Sequence, residues 1–461
     1  MSAGVEAQPI EYDIELGKHY SAAVESQMGV YNDAGLTSLV SSIGNKLVQA
    51  LGKQPFDYSF KVADTDITNA FALPGGFTYI TRGLLALVND ESELAGVMAH
   101  EIIHVDRRHS IQQMHRGGFL PGLLRLPGQI VGAFSPAIGS ILLAPVDITA
   151  AAFDANYSRS HEKEADKDGV VLAAKASYDP NGLTKLLENL AIEAELLSGE
   201  PEKAKLLDDH PITPKRLKYL NKKISKIDDV NTTVGNQSIL DLLDGMTYGQ
   251  NPAQGVIVNN KFMHPDMRLF MQFPADWQTA NTPVMVGAIE ADSEAMVTLV
   301  ATDNAHTPQG YCDTIVSRIP EENTSMIKEN KPIVLNGFSG HSLILIDDSG
   351  TNHAFMHVVW LYVGSNVFQL SAYGLDEHKE TLESSLFSLR SLTEEERTSI
   401  QIRKIRITKA RSGESLKELS ERVGNVLDLK MTAVINATDL ASKFKAGQKI
   451  KVVLQSAYVT K

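Results

Sequence analysis

The run His100-Glu101-Ile102-Ile103-His104 sits inside a helix-forming stretch over residues 91–111. It restricts the fold more than any other part of the chain. Residues four apart share one face of a helix, so both imidazoles can reach a single divalent cation, each nitrogen at about 2.0–2.1 Å if the ion is zinc. Glu101, beside them, can reach a water on that ion and take its proton. A catalytic zinc keeps three protein ligands and one open position. The fold must therefore bring a third donor to this helix from elsewhere.

The chain has one cysteine, Cys312, which excludes a cysteine-based site and any internal disulfide. The third donor is then His, Glu or Asp. Residues 155–170 read as a helix with Glu162 and Asp166 four apart on one face. Glu162 can ligate, and Asp166, one turn on, can accept the second ring N–H of one of the two histidines. Glu164 points about 200° away from Glu162 and is the poorer candidate. His353 and His357 are also four apart, but TNHAFMHVVWLYV alternates as a strand. A strand puts them about 13 Å apart, too far for one metal. Gly117-Gly118 lacks the spacing of a phosphate loop.

With 461 residues, two to four domains are expected. The net charge of −13 argues against a nucleic-acid partner. Residues 1–10 have neither the basic nor the apolar region of a signal peptide. Residues 126–146 carry no charge and are long enough to span a bilayer. Pro127, Pro136, Pro145 and three glycines interrupt them, so a buried or interfacial pair of short helices is expected, either packed in the core or placed to act as a lid or touch lipid.

Helical spacing runs through residues 11–52, alternation through 56–63, and Pro74-Gly75-Gly76 marks a turn before a β-rich run at 77–81. Asn89 or Asp90 can cap the His-bearing helix. Helices follow at 150–175, 183–197 and 214–227, and the composition turns to Asn, Gly, Thr and Gln over 228–260. The expected fold class is α+β multidomain. Residues 1–250 form a mainly helical domain with a small sheet, 256–395 an α+β domain of unread role, and 402–461 a small βααβ module. A charged linker at 395–397 joins the last two.

HEIIHVDRRH (100–109), NAFALPGGFTYITRGLL (69–85), YSRSHEKEAD with Gly169, Tyr178-Asp179-Pro180, and His210-Pro211 with Arg216 stand in one order. Together they resemble the gluzincin family of CAAX-prenyl endopeptidases and stress-linked membrane proteases, and within it the soluble periplasmic BepA-like group. Ile103 departs from the Gly often found there, which affects packing more than chemistry. The resemblance implies one Zn2+ held by His100, His104 and Glu162, with Glu101 as general base. It also implies that His210 lies near the metal, either as a transition-state donor or as a fourth ligand that keeps the enzyme latent; a merely buried histidine is the third possibility. Phe77, Thr78 and Tyr79 are expected in an edge strand that pairs with extended protein or peptide substrates.

Residues 410–453 resemble a LysM module, with Gly413-Glu414-Ser415 where the usual opening is Gly-Asp-Thr. That implies a bacterial periplasm or cell envelope, with peripheral membrane association and a peptidoglycan or protein partner in view. The expected function is zinc-dependent hydrolysis of unfolded or misassembled envelope proteins, outer-membrane proteins among them. The rival is an envelope chaperone or assembly factor with a latent zinc site.

Overall fold

A computed structural model describes residues 9–115, 157–198, 214–227, 238–292, 294–348 and 353–460. These divide into two compact units. One joins the described residues up to 250 with Ile402–Ser456, and the other contains Asn251–Gln401 and the last few residues. Residues 126–146 and His210 lie outside the described residues. Among the described residues, no helix is long and apolar enough to cross a membrane.

The first unit begins with α1 (Ile10–Met28) and α2 (Ala34–Leu51). Asp33 caps α2 by accepting from the Leu36 amide, and Leu36, Leu39, Val40, Ile43 and Leu47 form its buried stripe. Three strands follow: β1 (Ser59–Ala63), β2 (Ala70–Leu73) and β3 (Phe77–Thr81). Their order is β1-β3-β2, with β3 parallel to β1 and antiparallel to β2. This corrects the expectation for residues 77–81. Both sides of β3 are already paired, so Phe77, Thr78 and Tyr79 cannot add a substrate strand, and β1 and β2 are the edges. The tight β2–β3 connection needs Gly75 at φ 74°, where a Cβ would stand 2.9 Å from the Asp13 carbonyl of α1.

Next come α3 (Arg82–Leu87), α4 (Glu91–Asp106), α5 (His109–His115), α6 (Arg159–Lys175), α7 (Gly182–Ser198), α8 (Pro214–Ile224) and α9 (Ser238–Leu243). The helix expected from residue 150 does not run unbroken through 158. Ser158 is extended, and its hydroxyl caps α6 by accepting from the His161 amide. α4 is the central element, packed against α2, α6, α7 and β2.

In the second unit, β4 (Val256–Val258), β5 (Lys261–His264) and β6 (Leu269–Gln272) form a small antiparallel sheet. A seven-stranded sheet is built from β7 (Gln278–Asn281), β8 (Met285–Ile289), β9 (Ala295–Ala301), β10 (Ile327–Leu335), β11 (Phe338–Asp347), β12 (Ala354–Val363) and β13 (Asn366–Leu375). α10 (Pro308–Val316) and α11 (Lys379–Phe387) pack on it. His357 is buried on β12 and pairs with the Ser342 hydroxyl at 2.9 Å, while His353 is exposed beside Asp348. β14 (Arg390–Ser391) adds to the small sheet. The charged stretch expected as a linker is instead α12 (Glu394–Ser399), started by a reciprocal capping box between Thr393 and Glu396.

The chain then returns to the first unit as β15 (Gln401–Lys409), α13 (Leu416–Val423), α14 (Leu429–Ile435) and β16 (Lys449–Ala457). β15 pairs with β16. Leu416, Leu419, Phe444, Ile450 and Val452 make a small core of their own. Ile405, Met431, Val434, Ile435 and Val453 belong instead to the main core around α2, α4 and α7. Burying each of these five contributes roughly 1.5–3 kcal/mol before entropy. Main-chain bonds add to this, from the Gly245 amide to Ile405 and from the Tyr248 amide to Arg403. Lys451 is fully buried, and its ammonium donates to the carbonyls of Ala86 and Val88 at 2.8 and 2.7 Å. Sequence reading sets residues 402–461 apart as a third piece; here residues 402–456 and the helical domain form one compact unit.

Candidate metal centre

α4 begins where Asp90 accepts from the amides of Ser92 and Glu93, with Glu91 and Glu93 in the first turn near the positive end of the helix dipole. Residues 92–105 are buried on every side. Such a helix is apolar all round, and the imidazoles and carboxylate it carries into the core must find partners there.

Two glycines let neighbouring helices come close. A Cβ on Gly96 would stand 2.5 Å from the Leu183 amide of α7, and one on Gly169 would stand 3.1 Å from the His100 Cα. The second approach lays α6 against the His-bearing turn. It brings Glu162 Oε1 within 3.2 Å of His104 Nε2, and Glu162 Oε2 within 3.7 Å of His100 Nε2. The two Nε2 atoms are 3.0 Å apart. Tetrahedral zinc at 2.0–2.1 Å from each nitrogen would separate them by about 3.3 Å, so a small movement of one ring suffices. Three donors of the right chemistry, all buried, lie within 4.8 Å of one another. These residues fit a zinc ion. The other such set among the described residues, Glu294, Glu377 and His378, is largely exposed.

The second nitrogen of each histidine is also engaged. His100 Nδ1 lies 3.0 Å from Asp166 Oδ1. Asp166 is fully buried and accepts two bonds from Arg216, at 2.9 and 2.7 Å, and one from the Tyr219 hydroxyl. Burial alone would raise its carboxyl, but the bond from His100 and the Arg216 charge override this and hold it far below the usual carboxylate range. Arg216 also reaches Glu162 Oε2, at 3.5 Å. α8 thus anchors both Glu162 and Asp166 of α6.

His104 Nδ1 lies 3.0 Å from His109 Nδ1. Helix spacing does not pair these two histidines, since positions five apart do not share a helix face. The structure explains the contact: α4 ends at Asp106, and Arg108 turns the chain at φ 54° so that α5 folds His109 back onto His104. Tyr157 stacks on His104 with ring centroids 3.8 Å apart, and its hydroxyl pairs with Ser110. His161 stacks on His109 at 4.3 Å. Glu101 is buried on α4 beside the ligand pair. Tyr79 points its hydroxyl to Ser21 and Glu25 of α1, at 2.8 Å each.

Residues 36–224 match Peptidase family M48. A relative from Vibrio cholerae serotype O1 is 34% identical over 222 residues, 45% of this chain and 43% of that protein. The beta-barrel assembly-enhancing protease of Escherichia coli K12 is 28% identical over 211 residues, again 45% of this chain and 43% of that one. The human mitochondrial metalloendopeptidase OMA1 is 31% identical over 179 residues, 38% of this chain and 33% of that one. The chain spans under half the length of these relatives. The matched segment contains α4 and α6 with every residue of the buried three-donor set, so the likeness to Peptidase family M48 includes the residues of the candidate site.

Proposed function

We propose that this chain is a zinc metalloendopeptidase in which His100, His104 and Glu162 hold the ion and Glu101 is the general base. The observation that supports this most is the convergence of those three donors on one buried point beside Glu101. When bound, zinc supplies Lewis acidity for the scissile carbonyl and acidifies water. Glu101 takes the proton of the attacking water and delivers it to the leaving amine. Asp166 and His109 fix the orientation of the two imidazoles, and Arg216 holds the Glu162–Asp166 face of α6 in place. His210 acts either as a donor to the oxyanion or as a fourth ligand; His210→Ala separates these, the first losing activity and the second gaining it.

An extended substrate lies along β2, the edge strand packed against α4, so main-chain bonding dominates and sequence preference is weak. Loops and unfolded segments of envelope proteins fit this mode, and the name of the Escherichia coli relative favours proteins of the barrel-assembly route. The βααβ element is read as a LysM-like module that addresses peptidoglycan or a protein partner in the periplasm. Casein hydrolysis by wild type and Glu101→Gln, with zinc content measured on both, tests the reading. Hydrolysis lost with zinc retained supports it. Equal hydrolysis refutes it, and no hydrolysis by either protein favours the chaperone alternative.

A further inference from the structure

Away from the metal centre, the first unit contains a cleft of about 420 Å³ between the β1–β2 connection, α3, α7, residues 247–249 and α14. That volume falls in the range of small-molecule sites, about 300–1,000 Å³. Ile67, Leu87, Tyr248, Met431 and Ile435 give it apolar walls. Arg82 also lines it, but its guanidinium is committed to Asp64 and to the carbonyls of Thr247 and Gly249. The charge left to the cleft is therefore acidic.

Two carboxyl groups supply it, the buried one ionising above about pH 7. Glu193 is only 7% exposed; Thr68 donates to its Oε1, and its Oε2 has no hydrogen-bond partner. Asp66, also in the lining, is exposed. Tyr248 feels both: burial first, then the charges of Glu193 and Asp66, push its hydroxyl up to about 12, against the opposing charge of Arg403. Arg403 is exposed and stands outside the lining.

A buried, half-satisfied carboxylate, a second one in the open and an apolar wall together call for a ligand with a cation at each end and a hydrocarbon stem. We propose that this cleft binds a linear aliphatic diamine or polyamine, one ammonium on Glu193 and the other on Asp66. Charge-assisted bonds at both ends fix the orientation, and the stem covers Leu87, Met431 and Ile435. Because α14 forms one wall, occupancy would tie the C-terminal module to α3 and α7.

Calorimetric titration of the full chain with cadaverine tests this, with pentylamine as the one-headed analogue of the same stem. Wild type should bind cadaverine about tenfold more tightly than pentylamine. Glu193→Gln and Asp66→Asn should each weaken cadaverine about tenfold. Casein hydrolysis and the circular-dichroism spectrum of both variants should match wild type, which shows that they are folded. No heat at millimolar cadaverine, or binding that survives Glu193→Gln, overturns the proposal. Equal affinity for the two amines overturns its two-headed form.

Discussion

Oδ1 of Asp166 lies 3.0 Å from Nδ1 of His100, while the same carboxylate takes two bonds from Arg216. One buried side chain thus aligns an imidazole and pins α8 to α6. In Asp166→Asn an amide NH₂ must face either His100 or Arg216, so one of these contacts is lost. Zinc affinity should fall about 10–100-fold, the range for such supporting partners. Competition with a chromophoric chelator measures it, and an unchanged affinity would remove Asp166 from the ligand's support.

Gly169 sets the distance between α6 and α4. A Cβ there already meets His100 Cα and N at 3.1 Å, so Gly169→Val should force the helices apart and draw Glu162 from the histidine pair. A loss of about 1–3 kcal/mol in urea unfolding is expected from overpacking, with zinc bound at less than one equivalent. Full zinc loading in the valine variant would mean that the helix spacing is not critical.

Lys451 should be costly to replace. Lys451→Met leaves the carbonyls of Ala86 and Val88 without their donor in a dry interior. The expected penalty is about 3 kcal/mol in chemical denaturation. A variant as stable as wild type would show that water or a neighbour replaces the ammonium.

The pH dependence of stability carries a signature of Glu193. Burial raises its carboxyl to about 7, with the Thr68 bond opposing, against 4.5 unperturbed. Between those values the folded chain keeps a proton that the unfolded chain has lost, so stability falls as pH rises through the window. The full span is on the order of 3 kcal/mol. Glu193→Gln should match wild type near pH 4 and exceed it near pH 8. Thermal melts of both proteins across that range check the difference, which cancels the other titrating groups.

Much of the centre was legible in the chain itself. Four-residue spacing named His100 with His104 and Glu162 with Asp166, because a helix converts spacing directly into shared faces. The order of strands was not legible: alternation shows which faces of β3 are buried but not what lies on either side. His109 escaped because its contact depends on a left-handed turn at Arg108, not on a helix period. Nor does the sequence single out Lys451, since KIKVV (449–453) alternates as a strand and puts both its lysines on one face. What buries it is a pair of carbonyls about 365 residues away, and no local pattern contains them.

Ile405, Met431, Val434, Ile435 and Val453 complete a core begun by α2 and α4, which bears on synthesis as well as stability. The ribosome releases the His-bearing helix long before the strand that seals it. Until residue 453 has emerged, the helical part of the polypeptide lacks some of its own interior. Any change that detaches that strand therefore opens the same interior that holds the His-bearing helix.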